Sequence, residues 1–372
     1  MELINATRML AGYTLGMEPS GRESLVVVVK GTFRIPDGQE AVRLDDEQVP
    51  LATGDVFFGE PGKSAPRYEA DYAPRKRRCD VLVHGSACAP DGRPTTRTRV
   101  GVRVGEWAKT FTVVGDRVWV VAGGGISASP PEPYLQMPIT YDRAFGGTDD
   151  RSEDPSDHAA FMKNPSGRGF HRQLRREWVD GSPLPNTEEH DRPVSDPRGD
   201  YEPMSFGPIG RHWEPRLRFA GTYDERWLDE HFPFLPPDFD EQYYQAAPPD
   251  QQIPFPQGGE EIVLLNLTGP GRTAFVLPVF QAPIHFFPKS GGREDGALVP
   301  DTLLLEPNLQ RFTITWRAAR PLKRSLHEVA QVMVGKRSQS WWAKRETVGF
   351  PIPPSTEGAE TSPEVAGEPQ EP

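Results

Sequence analysis

The sequence predicts a mainly β protein: antiparallel sheets in a sandwich or barrel-like core, long ordered loops rich in Pro and Gly, and few short helices. Three observations support this prediction. The 372 residues include 41 Pro and 36 Gly, and proline is excluded from helix interiors because it fixes φ and lacks an N–H. Short β-branched runs, one with period-two alternation, recur toward both ends of the chain. Aromatic residues make up 10% of the chain, enough for a substantial core.

Residues 1–122 form the predicted N-terminal β part. A continuous β-branched run begins at Leu25 and ends at the Pro36-Asp37-Gly38 turn. Val100, Val102 and Val104 alternate with Gly101 and Arg103, which indicates a half-buried strand. The predicted strands of this part are 25–35, 79–84, 98–104, 110–114 and 118–121.

Residues 123–256 form the predicted loop region, which is rich in Pro and aromatic residues. It holds 20 of the 41 prolines and has little sustained apolar periodicity. Its many aromatic residues argue against disorder, because aromatic side chains at this density normally bury. We therefore expect ordered loops that wrap over the sheets.

Residues 257–352 form the predicted C-terminal β part, with strands at 261–268, 272–277, 302–305 and 311–316 and one helix. The helix is predicted at Ser325, because Ser325 and Glu328 have the spacing of a capping box. Apolar residues then follow at helical spacing, and Gly335 stands where a C-terminal cap is expected. Residues 1–352 are predicted to form one domain, and residues 353–372 a disordered acidic tail with five Glu and no Lys or Arg.

The charge balance and the termini restrict the class of partner and the location. The formal net charge is −11 and no basic stripe is present, so nucleic acid is not an expected partner. The first residues lack a signal-peptide pattern, and no apolar run approaches the ~20 residues that span a bilayer. Cys79 and Cys88 do not make a disulfide framework, and two inert core thiols are the preferred interpretation. These observations predict a cytoplasmic protein that does not bind membranes.

Several catalytic and ligand-binding motifs are incomplete. A zinc-protease helix would need a second His where His327-Glu328-Val329-Ala330 is followed by Gln331. A phosphate-binding loop ending at Gly62-Lys63-Ser64 would need Gly in place of Phe57. No Gly-x-Ser-x-Gly elbow exists, and no two His lie within ten positions of each other. We therefore predict no cofactor, no metal and no catalytic residue.

One stretch leaves two functional interpretations open beside a structural one. Asp224, Asp238 and Asp240 lie among aromatic residues, as the acid and base of a carbohydrate or cell-wall hydrolase could. Aspartates are equally common as caps of turns. The aromatic and Arg content instead fits a protein-binding surface.

A series of motifs carries a family resemblance. It runs through YDRAFGG (141–147), NPSGRGF (164–170), FGPIGRHWEPR (206–216), AGTYD (220–224) with Trp227, PPDFD (236–240), APPDQ (247–251) and GGE (258–260). In this order the motifs resemble the bacterial family called domain of unknown function 2169, over most of residues 1–350.

The resemblance implies a function that composition and spacing do not. The family is associated with type VI secretion loci, where its members act as adaptors, or chaperones, for a toxic effector. They load it onto the spike through the valine-glycine repeat protein or its PAAR-repeat tip. The resemblance thus implies a non-enzymatic adaptor whose partners are an effector encoded nearby and a spike or PAAR-tip protein. It supplies no catalytic residues.

The motifs also supply the candidate site residues. The candidates for partner binding are Arg211, Trp213, Tyr223, Asp224 and Trp227. The residues expected to hold the loops in place are Tyr141, Asp142, Phe145, Gly146, Gly147, Asn164, Gly167, Arg168 and Gly169.

Overall fold

Residues 1–38, 40–280 and 282–348 are described by the structure, a computed structural model; for Lys344 and residues 346–348 it describes only the backbone. The predicted acidic tail at 353–372 lies outside the described residues. The strands up to residue 128 are β1 (Glu2–Asn5), β2 (Leu10–Met17), β3 (Glu23–Arg34), β4 (Arg43–Leu44), β5 (Val56–Phe57), β6 (Pro66–Tyr68), β7 (Cys79–Val83), β8 (Gly85–Cys88), β9 (Arg97–Val104), β10 (Trp107–Val114), β11 (Trp119–Ala122) and β12 (Gly125–Ala128).

Short elements follow in the middle of the chain and longer strands return after it. The middle elements are β13 (Gln136–Ile139), β14 (Phe145–Gly146), β15 (Thr148–Asp149), β16 (Ala159–Ala160), β17 (Arg168–Gly169), α1 (Arg176–Val179), β18 (Thr187–Glu188), α2 (Glu214–Leu217), α3 (Glu225–Glu230) and β19 (Gln252–Ile253). The last are β20 (Glu261–Leu265), β21 (Arg272–Val276), β22 (Ile284–Pro288), β23 (Glu294–Gly296), β24 (Val299–Glu306), β25 (Arg311–Pro321), β26 (Val329–Val334) and α4 (Gln339–Val348). Short 3-10 turns lie at Pro90–Gly92, Tyr141–Arg143, Pro155–Asp157, Glu241–Tyr244, Pro249–Gln251, Pro307–Leu309 and Leu326–Glu328.

Three sheets carry the fold. A seven-stranded sheet has the order β19-β7-β24-β25-β3-β2, with β4 paired to β3. A five-stranded sheet has the order β18-β10-β9-β20-β21, and a four-stranded sheet the order β1-β26-β22-β23. Most neighbours are antiparallel, while β24 with β7 and β1 with β26 are parallel. The predicted fold class is confirmed: the protein is mainly β, with several antiparallel sheets and few short helices.

A single large apolar core joins the inner faces of these sheets. Leu25, Val27 and Val29 of β3 lie in it. So do Val100, Val102 and Val104 of β9, the last three being 0%, 1% and 3% exposed. Their predicted alternation is therefore confirmed, since the period of two places all three valines on one face.

The opposite face of the seven-stranded sheet carries a buried ionic layer, beside a small apolar cluster that includes Leu82 and Leu304. The loop of residues 45–78 covers this face and supplies charged side chains to charges on the strands. The three closest pairs, named by their nitrogen and carboxylate, are Lys30–Asp71 at 2.9 Å, Lys76–Asp80 at 2.7 Å and Arg317–Asp301 at 2.5 Å. Because a buried charge needs a partner, the Lys30–Asp71 and Lys76–Asp80 pairs fix the loop against the sheet. Arg317 and Asp301 pair within the sheet, and Arg317 reaches the loop by donating to the carbonyls of Asp71 and Ala73.

The prediction of a helix from Ser325 to Gly335 is wrong. Leu326–Glu328 form one 3-10 turn, and Val329–Val334 form β26, which lies between β1 and β22. Glu328 does not cap with Ser325; its carboxylate accepts hydrogen bonds from the amides of Lys323 and Arg324 and pairs with Arg320. Three of the apolar residues that predicted the helix face, Val329, Ala330 and Met333, lie in β26 instead, where valine side chains pack well. The helix of this part is α4, a few residues later.

The middle region has small cores of its own. Trp119, Phe145 and Tyr201 belong to one cluster, and Tyr141 and Trp213 to another. The aromatic side chains of the loops thus bury against one another, in line with the expected ordered loops.

Both cysteines are buried and neither forms a disulfide. Burial raises the pKa of the Cys79 and Cys88 thiols. This is the environment of an unreactive core thiol, which agrees with the preferred interpretation.

Candidate functional site

Two of the five candidates for partner binding make internal contacts: Arg211 is half-buried and Trp213 is completely buried. The Arg211 guanidinium holds Asp55 through Nε at 2.7 Å and contacts Glu69 at 2.8 Å, and these acids raise the pKa of Arg211. Trp213 is 0% exposed and packs edge-to-face on Tyr141. The predicted role of Trp213 as a partner contact therefore does not fit its position, because a completely buried ring offers a partner no surface.

The other three candidates lie together on a segment that we call the aromatic platform, residues 217–241. Five of the fifteen exposed large apolar side chains of the described chain fall within its first 18 residues. They are Leu217 at 47%, Tyr223 at 55%, Leu228 at 58%, Phe232 at 62% and Phe234 at 47% exposed. Single exposed apolar residues are normal, whereas a contiguous patch of them is typical of an interaction surface.

Short hydrogen bonds hold the platform in one shape. Asp224 caps α3, because its Oδ1 accepts from the Trp227 amide at 2.8 Å. Asp238 accepts from both the amide and the hydroxyl of Thr222, at 2.9 and 2.7 Å, which closes the base of the platform. The aromatic side chains are thus presented on a framework that is already ordered, which lowers the entropic cost of binding.

The half-buried Trp227 is the hub of the platform. Its indole N–H donates to the Phe234 carbonyl at 2.9 Å. Tyr223 and Phe232 pack edge-to-face on its ring, with centroids 4.7 and 5.7 Å away. A Cβ at Gly21 would come within 2.9 Å of the Phe234 ring, so the platform rests on the β2–β3 turn.

The platform is strongly acidic. Residues 217–241 contain seven Asp and Glu, two Arg and no Lys. The two hydrogen bonds from Thr222 hold the pKa of Asp238 below its usual value, so this carboxylate stays charged at neutral pH. Exposed rings are therefore bordered by negative charge.

The aspartates of the hydrolase alternative have separate capping positions. Asp224 and Asp238 accept the bonds given above, while Asp240 accepts from the Gln242 amide at 2.8 Å and pairs with Arg77 at 3.1 Å. A glycosidase acid needs a raised pKa in order to donate a proton. The pKa of Asp238 is lowered instead, which suits a hydrogen-bond acceptor.

The motifs expected to hold the loops are brought together by the short parallel pair of β14 with β17. The Asn164 amide donates to the carbonyls of Tyr141 and Phe145, at 2.8 and 3.1 Å. Arg168 Nε donates to the Asp142 carbonyl at 2.9 Å. Gly146 has φ +147°, and a Cβ there would lie 2.1 Å from the Asn164 carbonyl oxygen. Gly147, Gly167 and Gly169 belong to the same close approach of the two loops.

The remaining sequence motifs do not meet as sites. His327 lies in the turn before β26, and the Lys63 side chain is exposed beside Glu60. Among the described residues no group of three or more His, Cys, Asp and Glu is placed to hold a metal ion. No helix within these residues has the length and apolarity to cross a membrane.

Similarity to other proteins can be stated at the level of a family. The sequence model of a bacterial family, described as "Uncharacterized protein conserved in bacteria (DUF2169)", matches residues 20–317. The chain belongs to this family. No curated protein and no solved structure matches the chain.

The sequence did not reveal the two acids that bind the arginines of the 206–216 motif, because these acids lie far away in the chain. Asp55 and Glu69 reach Arg211 and Arg216 from the loop before β7, 156 and 147 positions earlier in the chain. Arg216 also donates to the carbonyls of Ile209 and Tyr243. Pairs this distant leave no local spacing, so the only signal was the surplus of Arg in 206–216.

Proposed function

We propose that the protein is a non-enzymatic adaptor that binds a type VI secretion effector in the cytoplasm and helps load it onto the spike, through the valine-glycine repeat protein or a PAAR tip. The family resemblance suggests this role. The observation that carries the proposal is the aromatic platform, where five exposed apolar side chains stand on an ordered framework. Such a surface suits a protein partner, because aromatic anchors account for much of the binding free energy of interfaces.

The chemistry of the platform specifies the kind of partner segment. Its rings are separated by carboxylates such as Glu225, Asp229 and Glu230, all exposed on or beside α3. The matching segment carries apolar side chains for the rings and Lys or Arg for the carboxylates. Complementary charge of this kind accelerates association and selects the partner, and its effect falls as salt rises.

Co-expression with the protein encoded beside this gene tests the proposal. The two proteins are expected to co-purify, and the neighbour is expected to be less soluble or less stable when expressed alone. A neighbour that is equally soluble, stable and secreted without this chain contradicts the adaptor function.

The contact surface is tested in the same experiment with Glu225→Lys/Glu230→Lys, which reverses two exposed charges of the platform. The matched control is Glu60→Lys/Glu153→Lys, two exposed acids outside the platform. We expect the platform variant to retain less partner than the control and to lose the salt dependence of binding. Equal retention by both variants contradicts the assigned surface and leaves the adaptor function standing.

A further inference from the structure

A polar pocket lies where the two glycine-rich motifs meet. Its volume is about 250 Å³, and residues 146–148, 165–171 and 182–183 line it together with Lys63 and Arg151. Its ionisable and serine side chains are those of Lys63, Arg151, Ser166, Arg168, His171 and Ser182. The platform does not contribute to it, so the pocket is a separate feature of the fold.

The pocket is electropositive although the chain carries a formal net charge of −11. Two Arg and one Lys line it, and none of its lining residues is Asp or Glu. Two acids close to it are occupied elsewhere: Asp142 Oδ1 accepts from the Ala65 amide at 2.9 Å, and Asp149 Oδ2 from the Gln173 amide at 2.8 Å. Lys63 pairs with the exposed Glu60 at 3.1 Å, so the positive charge that faces the cavity comes mainly from Arg151 and Arg168.

The two pocket arginines, of which Arg151 is exposed and Arg168 half-buried, differ in their contacts from three buried arginines of this protein. Arg117, Arg216 and Arg317 each contact a carboxylate. Within the described residues Arg168 and Arg151 contact only carbonyls, through Nε to Asp142 at 2.9 Å and through Nη1 to Trp178 at 2.5 Å. Burial and the neighbouring Arg143 lower the pKa of Arg168, and the opposite charge of a bound anion would act against this shift.

The Ser166 hydroxyl adds an unpaired donor to the wall of the pocket. Ser166 lines the pocket, and its buried Oγ has no hydrogen-bond partner within the described chain. Buried polar atoms are normally paired, so an unpaired hydroxyl in a pocket wall indicates a missing partner.

Ser182 and His171 are committed to each other and to the backbone, and they do not form a nucleophile and its base. The Ser182 hydroxyl donates its single proton to the Val179 carbonyl at 2.6 Å. The His171 Nε2, 2.8 Å from Ser182 Oγ, is then the donor in that contact and does not act as a base.

We propose that this pocket binds a small oxyanionic group, a phosphate or a carboxylate, with Arg168 and Arg151 as its main ligands. Guanidinium groups suit both anions because their paired N–H donors match two oxygens. The site is independent of the adaptor function and holds whether or not the platform binds an effector.

Calorimetric titration of the full chain with sodium phosphate or with sodium acetate, at constant ionic strength, tests this proposal. We expect saturable binding of at least one anion. Phosphate alone identifies a phosphate site, and acetate binding as well extends it to carboxylates. Arg168→Gln should weaken binding by about tenfold or more, and Arg151→Gln should weaken it in the same direction.

Arg226→Gln is the matched control, because Arg226 is an exposed arginine of α3 outside the pocket, and it should bind the anion as the unaltered chain does. Should Arg168→Gln fail to fold, Arg151→Gln decides, since Arg151 is exposed and its contact is one carbonyl. The proposal is overturned if neither anion binds saturably, or if the folded pocket variants bind as tightly as the control.

Discussion

The ionic layer and the aromatic platform reverse the usual placement of side chains. Under the loop of residues 45–78, Lys, Arg and Asp are buried against a sheet, whereas on the platform Phe, Tyr and Leu face solvent. A buried charge is tolerated only with its partner, so the ionic layer fixes the long loops in one arrangement. Exposed rings contribute little to folding, so their concentration on the platform is better explained by a partner. We therefore attribute fold stability to the ionic layer and propose partner binding for the aromatic platform.

The ionic layer should respond most strongly to a change that leaves a charge unpaired. Lys76→Met removes the partner of Asp80, which is 0% exposed, and should lower the free energy of unfolding by about 3–5 kcal/mol. Arg8→Gln, which breaks an exposed pair with Asp46, is the control and should leave unfolding unchanged. Urea denaturation measures both. If Lys76→Met is as mild as the control, the layer does not hold the loops.

The glycine-rich motifs belong with the rigid region, and one methyl group tests this. Gly146→Ala should cost about 2–4 kcal/mol of unfolding free energy, because strain at φ +147° adds to overlap with the Asn164 carbonyl. Gly62→Ala is the matched control: φ is +82° and no heavy atom lies within 4 Å of the added Cβ, so about 1 kcal/mol is expected. Equal losses in the two variants would show that the close approach of the loops is unimportant.

Stability should also depend on pH, to a smaller extent, through His84, which contacts the loop of residues 45–78. His84 lies between the Phe58 and Tyr68 rings, and burial lowers its pKa from 6.5 to about 4. Between these values the unfolded chain binds a proton that the folded chain does not, so stability falls as pH drops from 6.5 toward 4. His84→Gln should reduce the slope of thermal unfolding temperature against pH in this window. An unchanged slope would show that His84 titrates normally.

The sheets were the most predictable part of the molecule because short periodic runs determine them. The valines of β9 lie on the face that their alternation predicts, and the β-branched run that begins at Leu25 lies in β3. The helix predicted after Ser325 failed because Val329–Val334 fits either a helix face or a buried strand. Pairing with β1 and β22 decides between the two structures. Neither strand is a close neighbour in the sequence, because β1 lies at the start of the chain and β22 lies about 40 residues before β26.

The candidate site was predictable in location but not in detail. Pro and aromatic content pointed to the middle region, and Tyr223, Asp224 and Trp227 do lie on the platform. Whether an aromatic residue is buried depends on distant contacts, so Trp213 and Tyr223 could not be told apart by composition. Arg211 was equally ambiguous, because its acids come from another part of the chain.

The most direct test of the division between the two regions is the affinity of platform variants for the protein encoded beside this gene. Leu228→Ser/Phe232→Ser removes two of the most exposed apolar side chains of the platform, and Leu135→Ser/Leu309→Ser removes two exposed leucines elsewhere. We predict that the platform variant binds about 30-fold more weakly or worse, with thermal unfolding close to that of the unaltered chain, and that the control binds normally. Normal binding by the platform variant, or an equal loss in the control, would contradict the account.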